Sequence, residues 1–335
     1  MTELKIAIAG LGRIGKIHLD NLLFLSNVDV IAATDPDTDS LQYAVDREIP
    51  YTTTSFEEML ASTKIDAVLI CSPTDTHADY VEKAARAGIH VFCEKPLDLS
   101  LDRVLQVLEE VRESGIKLMI GFNRRFDKEF RKIRELVGTK AVGTPHLVKI
   151  TSRDPGAPPI SYIEKSGGLF LDMTIHDFDM ARFVVDKEVA EVYAKGAVLV
   201  DPAIGKAGDV DTAVVTLTYT DGTLAIIDNS REASYGYDQR LEVFGSKGMV
   251  QSNNTFRDSH KLYNAKGIHA SLPLHFFLER YAEAYKLEIR DFIKGLQNGT
   301  MMSVNGDDGL QSLKIGLAAL KSLHEHRPVK ISEIG

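Results

Sequence analysis

The chain of 335 residues sets 39 Lys and Arg against 48 Asp and Glu, for a formal charge of −9, and is 44% hydrophobic and 26% charged. That length exceeds one ordinary core and predicts two domains of a globular, water-exposed kind. The acidic balance excludes a nucleic-acid partner, since Arg124-Arg125 and Arg131-Lys132 are too small to make a basic face, and no apolar run is long enough to span a membrane.

The first element is an apolar run, Leu4 to Ala9, broken only by Lys5, that passes directly into Gly10-Leu11-Gly12-Arg13-Ile14-Gly15. A strand so apolar is covered on both faces by helices, so a helix is expected at once, over Ile14 to Phe24. No targeting segment is expected ahead of it. Gly10 would permit the tight turn, Gly12 the approach of backbone N–H groups to a pyrophosphate, and Gly15 the close packing of helix on sheet. A second apolar strand, Val28 to Thr34, ends at Asp35, where a dinucleotide-binding fold places a carboxylate on the adenosine ribose. A carboxylate there accepts from ribose hydroxyls and repels a 2′-phosphate, which predicts NAD rather than NADP.

Short apolar strands then alternate with amphipathic helices. A helix near Ser40 to Arg47, a strand near Tyr51, a helix from the capping Ser55 and a strand Ala67 to Cys71 are expected. After them come a helix near Ala78 to Ala87, a strand Ile89 to Cys93, a helix from the capping Ser100 to Ser114 and a strand Lys117 to Phe122. The rhythm predicts a doubly wound parallel sheet over 1–122. Cys71 and Cys93 read as small core residues rather than a disulfide, which fits a reducing cytoplasm.

In such sheets ligands bind beyond the carboxyl ends of the strands, where Gly10 to Gly15, the loop Cys71 to His77 and Glu94-Lys95-Pro96 would converge. Ser72, Pro73, Thr74, His77, Glu94 and Lys95 thereby join Gly10, Gly12, Arg13, Ile14, Gly15 and Asp35 as candidates for the coenzyme. Read alone, the Cys71-to-His77 loop is a Pro-containing turn that caps the next helix, and Lys95 a solvated loop lysine.

Beyond Phe122 the pattern changes. A basic helix, about Lys128 to Val137, leads to a strand Pro145 to Arg153, a Pro-rich loop and the stretch Gly167 to Val185. Strands then dominate: Val189 to Leu199, Ala213 to Tyr219, Thr223 to Asn229, Arg240 to Phe244 and Met249 to Ser252, with Asp221-Gly222 as a hairpin turn. We expect a second, α+β domain over 123–335 with an open, mostly antiparallel sheet. One face of it needs a cover, from helices or from another subunit, so an oligomer is expected. Helices near Phe276 to Gly295 and Asp308 to Glu325 close the chain, the last able to return to the first domain.

Chemistry concentrates in Gly167 to Asp179. Asp172, His176 and Asp179 share one face if this stretch is helical, because helical neighbours lie three or four residues apart. Three readings are open: a metal site, which would want more converging ligands; a capping Asp172 with a core His176; and acid–base catalysis, in which a carboxylate orients a histidine and keeps it basic. Lys95, just past a buried strand and beside Pro96, is placed to reach both coenzyme and substrate. Arg124, Arg153, Asp154, Asp179, Tyr235 and Tyr237 are candidates to hold a substrate through its hydroxyls.

Taken together, Gly10 to Gly15, the Cys71-to-His77 loop, Glu94-Lys95-Pro96, Gly121-Phe122-Asn123-Arg124-Arg125-Phe126 and the Gly167-Gly168…Asp172…His176 pattern resemble a family of NAD(P)-dependent sugar and polyol oxidoreductases. It is the family that includes glucose–fructose oxidoreductase and inositol 2-dehydrogenase. Thr151 to Pro155 and Ile175 to Phe183 resemble its bacterial inositol dehydrogenase branch, which oxidises a secondary hydroxyl of a cyclohexanehexol to an inosose. The resemblance implies a Rossmann first domain, a Lys95–Asp172–His176 catalytic set without a metal, a cis peptide before Pro96 and a homotetramer. Asn123 stands where some of these enzymes carry methionine, and Asp154 where they carry an uncharged polar residue; both would face the polyol, which leaves the preferred isomer, myo or scyllo, open. An aldose dehydrogenase and a non-catalytic, NAD-responsive regulator are the rival readings.

Overall fold

The computed structural model describes residues 3–62 and 64–335. Contacts divide the chain into two units, the part up to Asn123 with Glu283–Gln311, and Arg124–Ala282 with Ser312–Gly335. The second span expected from the sequence, 123–335, thus gives up Glu283–Gln311 to the first unit. The returning segment is the helix Ala282–Asn298 with the start of the last helix, Gly306–Glu325, rather than the last helix as a whole. An amphipathic pattern marks a face to be buried but not the partner that buries it.

In the first unit β1 (Leu4–Ala9), β2 (Val28–Thr34), β3 (Tyr51–Thr53), β4 (Ala67–Ile70), β5 (His90–Glu94) and β6 (Leu118–Gly121) pair in the order β3-β2-β1-β4-β5-β6. Every pairing is parallel. The order reverses between β1 and β4, which opens the crevice where this fold takes its ligand. The connecting helices are α1 (Arg13–Leu23), α2 (Thr38–Val45), α3 (Phe56–Ser62), α4 (Thr74–Arg86) and α5 (Leu101–Ser114). Ser100 Oγ accepts from Arg103 N to start α5, and Gly115, at φ +70°, ends it. From the helix Ala282–Asn298, Phe292 meets Phe92 of β5 edge to face at 5.8 Å. Such a buried ring contributes about 2–3 kcal/mol.

The second unit holds α6 (Lys128–Gly138), β7 (Pro145–Arg153), α7 (Ile160–Ser166), one π-helical turn at Leu169–Met173 and α8 (Ile175–Val185). Its sheet adds β8 (Val189–Ala197), β9 (Thr212–Tyr219), β10 (Leu224–Ser230), β11 (Asp238–Gly245) and β12 (Gly248–Ser252). Beyond these lie a separate hairpin of β13 (Lys261–Asn264) and β14 (Gly267–Ala270), and the short β15 (Val329–Lys330). The seven strands run β12-β11-β7-β10-β9-β8-β15, antiparallel except for the parallel pair β7–β10.

The β9–β10 turn falls at Asp221-Gly222 as expected, with Gly222 at φ +87°. Alternation in β9 turns Ala213, Val215, Leu217 and Tyr219 inward, and Tyr219 Oη donates to the Ala181 carbonyl of α8 at 2.7 Å. The other face exposes Tyr193, Val214, Leu224, Ile226, Phe244 and Met249.

The helix expected over 276–295 is interrupted. A turn at Phe277–Arg280 precedes it, and the break at Tyr281 lets Arg280 reach Asp127 with Nη2 donating to Oδ1 at 3.2 Å. No helix among the described residues is long and apolar enough to cross a membrane.

Candidate active site

The glycine loop is tight at two of its glycines and open at the third. A Cβ on Gly10, at φ +90°, would stand 2.5 Å from the Ser72 backbone nitrogen, and a Cβ on Gly15 would collide with the Gly10 carbonyl. Nothing lies within 4 Å of the place where a Cβ on Gly12 would stand. Gly12 is also the N-cap of α1 and offers no side chain to its amides, so the positive end of the helix opens on that space with Arg13 and Ile14 in its first turn.

Asp35 directly follows β2, with one oxygen accepting from Leu11 N at 2.6 Å and the other from Asp37 N at 2.9 Å. The acid therefore braces the glycine loop.

The next two loops are stapled to each other. His77 is buried, with Nδ1 2.7 Å from the Pro96 carbonyl and Nε2 2.8 Å from the Ser72 carbonyl. Burial pushes its pKa down; the two carbonyl acceptors oppose this, because only a protonated ring donates from both nitrogens. His77 was a coenzyme candidate from the sequence, and the structure gives its ring nitrogens to the backbone instead. Ser72 Oγ and Thr76 Oγ1 lie 2.6 Å apart across the start of α4, beside Pro73 and Thr74. Glu94 ends β5, and the Lys95–Pro96 peptide is cis.

In the second unit Asp172 sits in the π-helical turn and His176 in the first turn of α8. Tyr162 Oη donates to Asp172 Oδ1 at 2.9 Å and Arg231 Nη1 to Oδ2 at 3.1 Å. Arg231 is buried and also lies 3.7 Å from Asp154 Oδ2, so one guanidinium gathers Asp154 and Asp172. Burial, with Asp172 adding to it and Arg231 opposing it, raises the Asp154 carboxyl to about 6.

The one-face expectation fails for Asp179. It is fully buried and receives Arg125 Nε at 2.9 Å and Nη2 at 2.6 Å, so its carboxylate is consumed inside the fold rather than offered to a substrate. Local spacing places a residue on a face but does not reveal that a buried arginine from 54 residues earlier occupies it; the π-helical turn alters only the offset of Asp172 from α8.

The other polyol candidates fall into two groups. Arg124 donates to Asp177 Oδ1 at 2.6 Å and lies 3.4 Å from the Tyr237 hydroxyl, while Asn229 Nδ2 holds the second Asp177 oxygen at 2.9 Å. All four residues are buried. Burial raises the Asp177 carboxyl and Arg124 opposes it. Nearer the surface, Arg153 Nε donates to Asp228 at 2.7 Å, and the Tyr235 hydroxyl, 3.2 Å from Arg153 Nη1, reaches Asp238 at 2.6 Å. Asn123 is buried at the end of the first unit's opening segment.

The open space at Gly12, the uncapped helix terminus and the acid after β2 fit a dinucleotide diphosphate and its ribose. Residues 4–122 match the oxidoreductase family with an NAD-binding Rossmann fold, and residues 130–251 match the GFO/IDH/MocA C-terminal domain. A myo-inositol 2-dehydrogenase of Thermotoga maritima is 48% identical over 332 residues, 99% of each chain. An inositol 2-dehydrogenase of Rhizobium meliloti is 45% identical, over 98% of this chain and 99% of its own. The crystal structure of scyllo-inositol dehydrogenase from Lactobacillus casei with bound NAD(H) and scyllo-inositol superposes with a TM-score of 0.92 at 32% identity, covering 99% of this chain and 100% of that one. With both halves matched and such relatives aligned end to end, the chain belongs to the GFO/IDH/MocA family of NAD-dependent oxidoreductases.

Proposed function

We propose that this enzyme oxidises one secondary hydroxyl of an inositol ring to the ketone of an inosose. Bound NAD supplies the hydride acceptor. An alcohol is too weak an acid to ionise unaided at neutral pH, so its proton passes to the His176 imidazole as the C–H bond breaks. Asp172 orients that ring and stabilises its protonated form, and Arg231 and Tyr162 hold the Asp172 carboxylate in place. Lys95 Nζ donates a hydrogen bond to the same hydroxyl oxygen and favours the developing alkoxide. Asn123, Asp154, Arg153 and Tyr235 read the remaining hydroxyls, whereas Arg124 and Tyr237 shape the floor beneath them.

The observation that carries this reading is the buried Arg231 fixing Asp172 four residues before His176, in a chain alignable along its whole length with inositol 2-dehydrogenases. The Thermotoga maritima relative is named for myo-inositol, the Rhizobium meliloti one for inositol without an isomer, and the Lactobacillus casei structure holds scyllo-inositol. Either isomer meets the chemistry proposed here. NADH formation measured side by side with myo-inositol, scyllo-inositol and glucose tests it. Turnover of an inositol at least about tenfold above glucose is expected; a preference for glucose assigns an aldose dehydrogenase, and tight NAD binding with no turnover assigns a regulator.

The apolar outer face of the seven-stranded sheet supports assembly into a homo-oligomer, with Tyr193, Val214, Leu224, Ile226, Phe244 and Met249 covered by a second copy. Two unbridged cysteines, Cys71 and Cys93, support a cytoplasmic setting.

A further inference from the structure

Beneath the Glu94-Lys95-Pro96 turn lies a buried cluster that the reaction does not use directly. His18 Nε2 of α1 is 2.9 Å from Glu94 Oε1 of β5, and Glu288, from the helix Ala282–Asn298, brings a carboxylate oxygen within 4.8 Å of both groups. His18 and Glu288 are 0% exposed. The Phe92 and Tyr285 rings meet the His18 ring edge-on at 5.2 and 5.6 Å, so the surroundings are apolar. A Cβ on Gly121 would stand 3.0 Å from Glu94 Oε2, which shows that the glycine leaves room for this carboxylate. Neither carboxylate oxygen of Glu288 has a hydrogen-bond partner.

Two carboxylates so close in an apolar interior cannot both stay ionised. The His18 Nε2 hydrogen bond goes to Glu94, and none reaches Glu288. The groups that act on Glu288 are Glu94 from β5, Asp291 from its own helix and, after β4, the Cys71 thiol, none of them a cation. Three donors also fall short of the four that close a structural zinc site.

We propose that Glu288 is held as a neutral carboxylic acid whose proton faces the His18–Glu94 pair, and that this cluster fixes the end of β5 from which Lys95 projects. Glu288 is thus a positioning residue, supplied about 190 residues downstream of the turn it steadies. Burial and the Glu94 charge both raise its carboxyl, in the same direction. The positioning half rests on the catalytic role given to Lys95 above; the neutral acid does not.

Infrared difference spectroscopy on the full chain, wild type minus Glu288→Gln, tests the proton from about pH 6 to about pH 9. A protonated-acid carbonyl band throughout, lost in Glu288→Gln, is expected. Its absence, or a metal stoichiometric with the purified chain, overturns the neutral acid. For positioning, Glu288→Gln keeps kcat within about threefold, while Glu288→Ala loses about tenfold or more with KM for the polyol within about threefold. Glu288→Met, of similar volume, takes the place of Glu288→Ala if that variant does not fold, with the same loss expected. Equal damage from Gln and Ala overturns the proposal, as does a folded Glu288→Ala with wild-type kcat. If the wild type oxidises no inositol yet shows the band, the substrate reading fails and the neutral acid stands; positioning is then read from NADH affinity, about tenfold weaker in Glu288→Ala and unchanged in Glu288→Gln if it holds.

Discussion

Arg231 places its Nη1 3.1 Å from Asp172 Oδ2 and 3.7 Å from Asp154 Oδ2, a single buried cation shared by two acids. Removing it leaves those acids to repel each other in a desolvated setting. Arg231→Met should therefore move the acidic limb of the kcat/KM profile upward by about one pH unit or more, because the two acids beside the proposed base lose the cation they share. A limb that stays where it is in the folded variant would mean that Asp172 does not report through the reaction.

Lys95 follows the last residue of β5 and begins the cis Lys95–Pro96 unit. If its ammonium favours the developing alkoxide, Lys95→Ala should lower kcat about 100-fold or more while NAD still binds. Single-turnover rates with myo-inositol and coenzyme titration check both halves, and near-normal turnover removes the lysine from the chemistry.

Asp35 braces Leu11 N, and its charge is proposed to exclude a 2′-phosphate. Asp35→Ser keeps a short acceptor but loses the charge. The ratio of kcat/KM for NAD over NADP should fall about tenfold or more, with a loss of about 1 kcal/mol in stability from the weaker brace. An unchanged coenzyme ratio would place this side chain away from the ribose.

Asp154 gives a pH signature. Its carboxyl rises from 3.8 to about 6 on folding, so the folded chain holds a proton that the unfolded chain releases. The resulting stability is complete below about pH 3.8 and lost as pH rises through about 6, about 3 kcal/mol in all. Asp154→Asn cannot ionise and escapes this loss. Its melting temperature relative to wild type should therefore be more favourable at pH 8 than at pH 5; a difference independent of pH would contradict the raised carboxyl.

The sequence disclosed what depends on local periodicity. The bounds of β2 and β7 agree with their apolar runs residue for residue, and the Asp221-Gly222 turn joins β9 to β10. Asp179 was misread because its pairing with Arg125, 54 residues earlier, is a tertiary fact. Two residues went unnoticed although their parity marked them. Arg231 continues the inward alternation of Ala225, Ile227 and Asn229, and Glu288 stands in the stripe of Ala284, Tyr285, Ile289 and Phe292. A charge at an inward position is the available signal. The β13–β14 hairpin left none, since all of its residues are exposed and its turn, Ala265-Lys266, lacks glycine.

The way Glu283–Gln311 completes the first unit bears on how the chain is made. When Asn123 leaves the ribosome, the residues of all six parallel strands have been made, yet the helix whose Phe292 meets Phe92 and whose Glu288 lies beside the His18–Glu94 pair has not been translated. The nucleotide-binding half must wait for synthesis of nearly the whole second unit before it can seal. A fragment ending at Asn123 should accordingly be sticky and poorly folded, and fusing residues 283–311 to it through a flexible linker should rescue it.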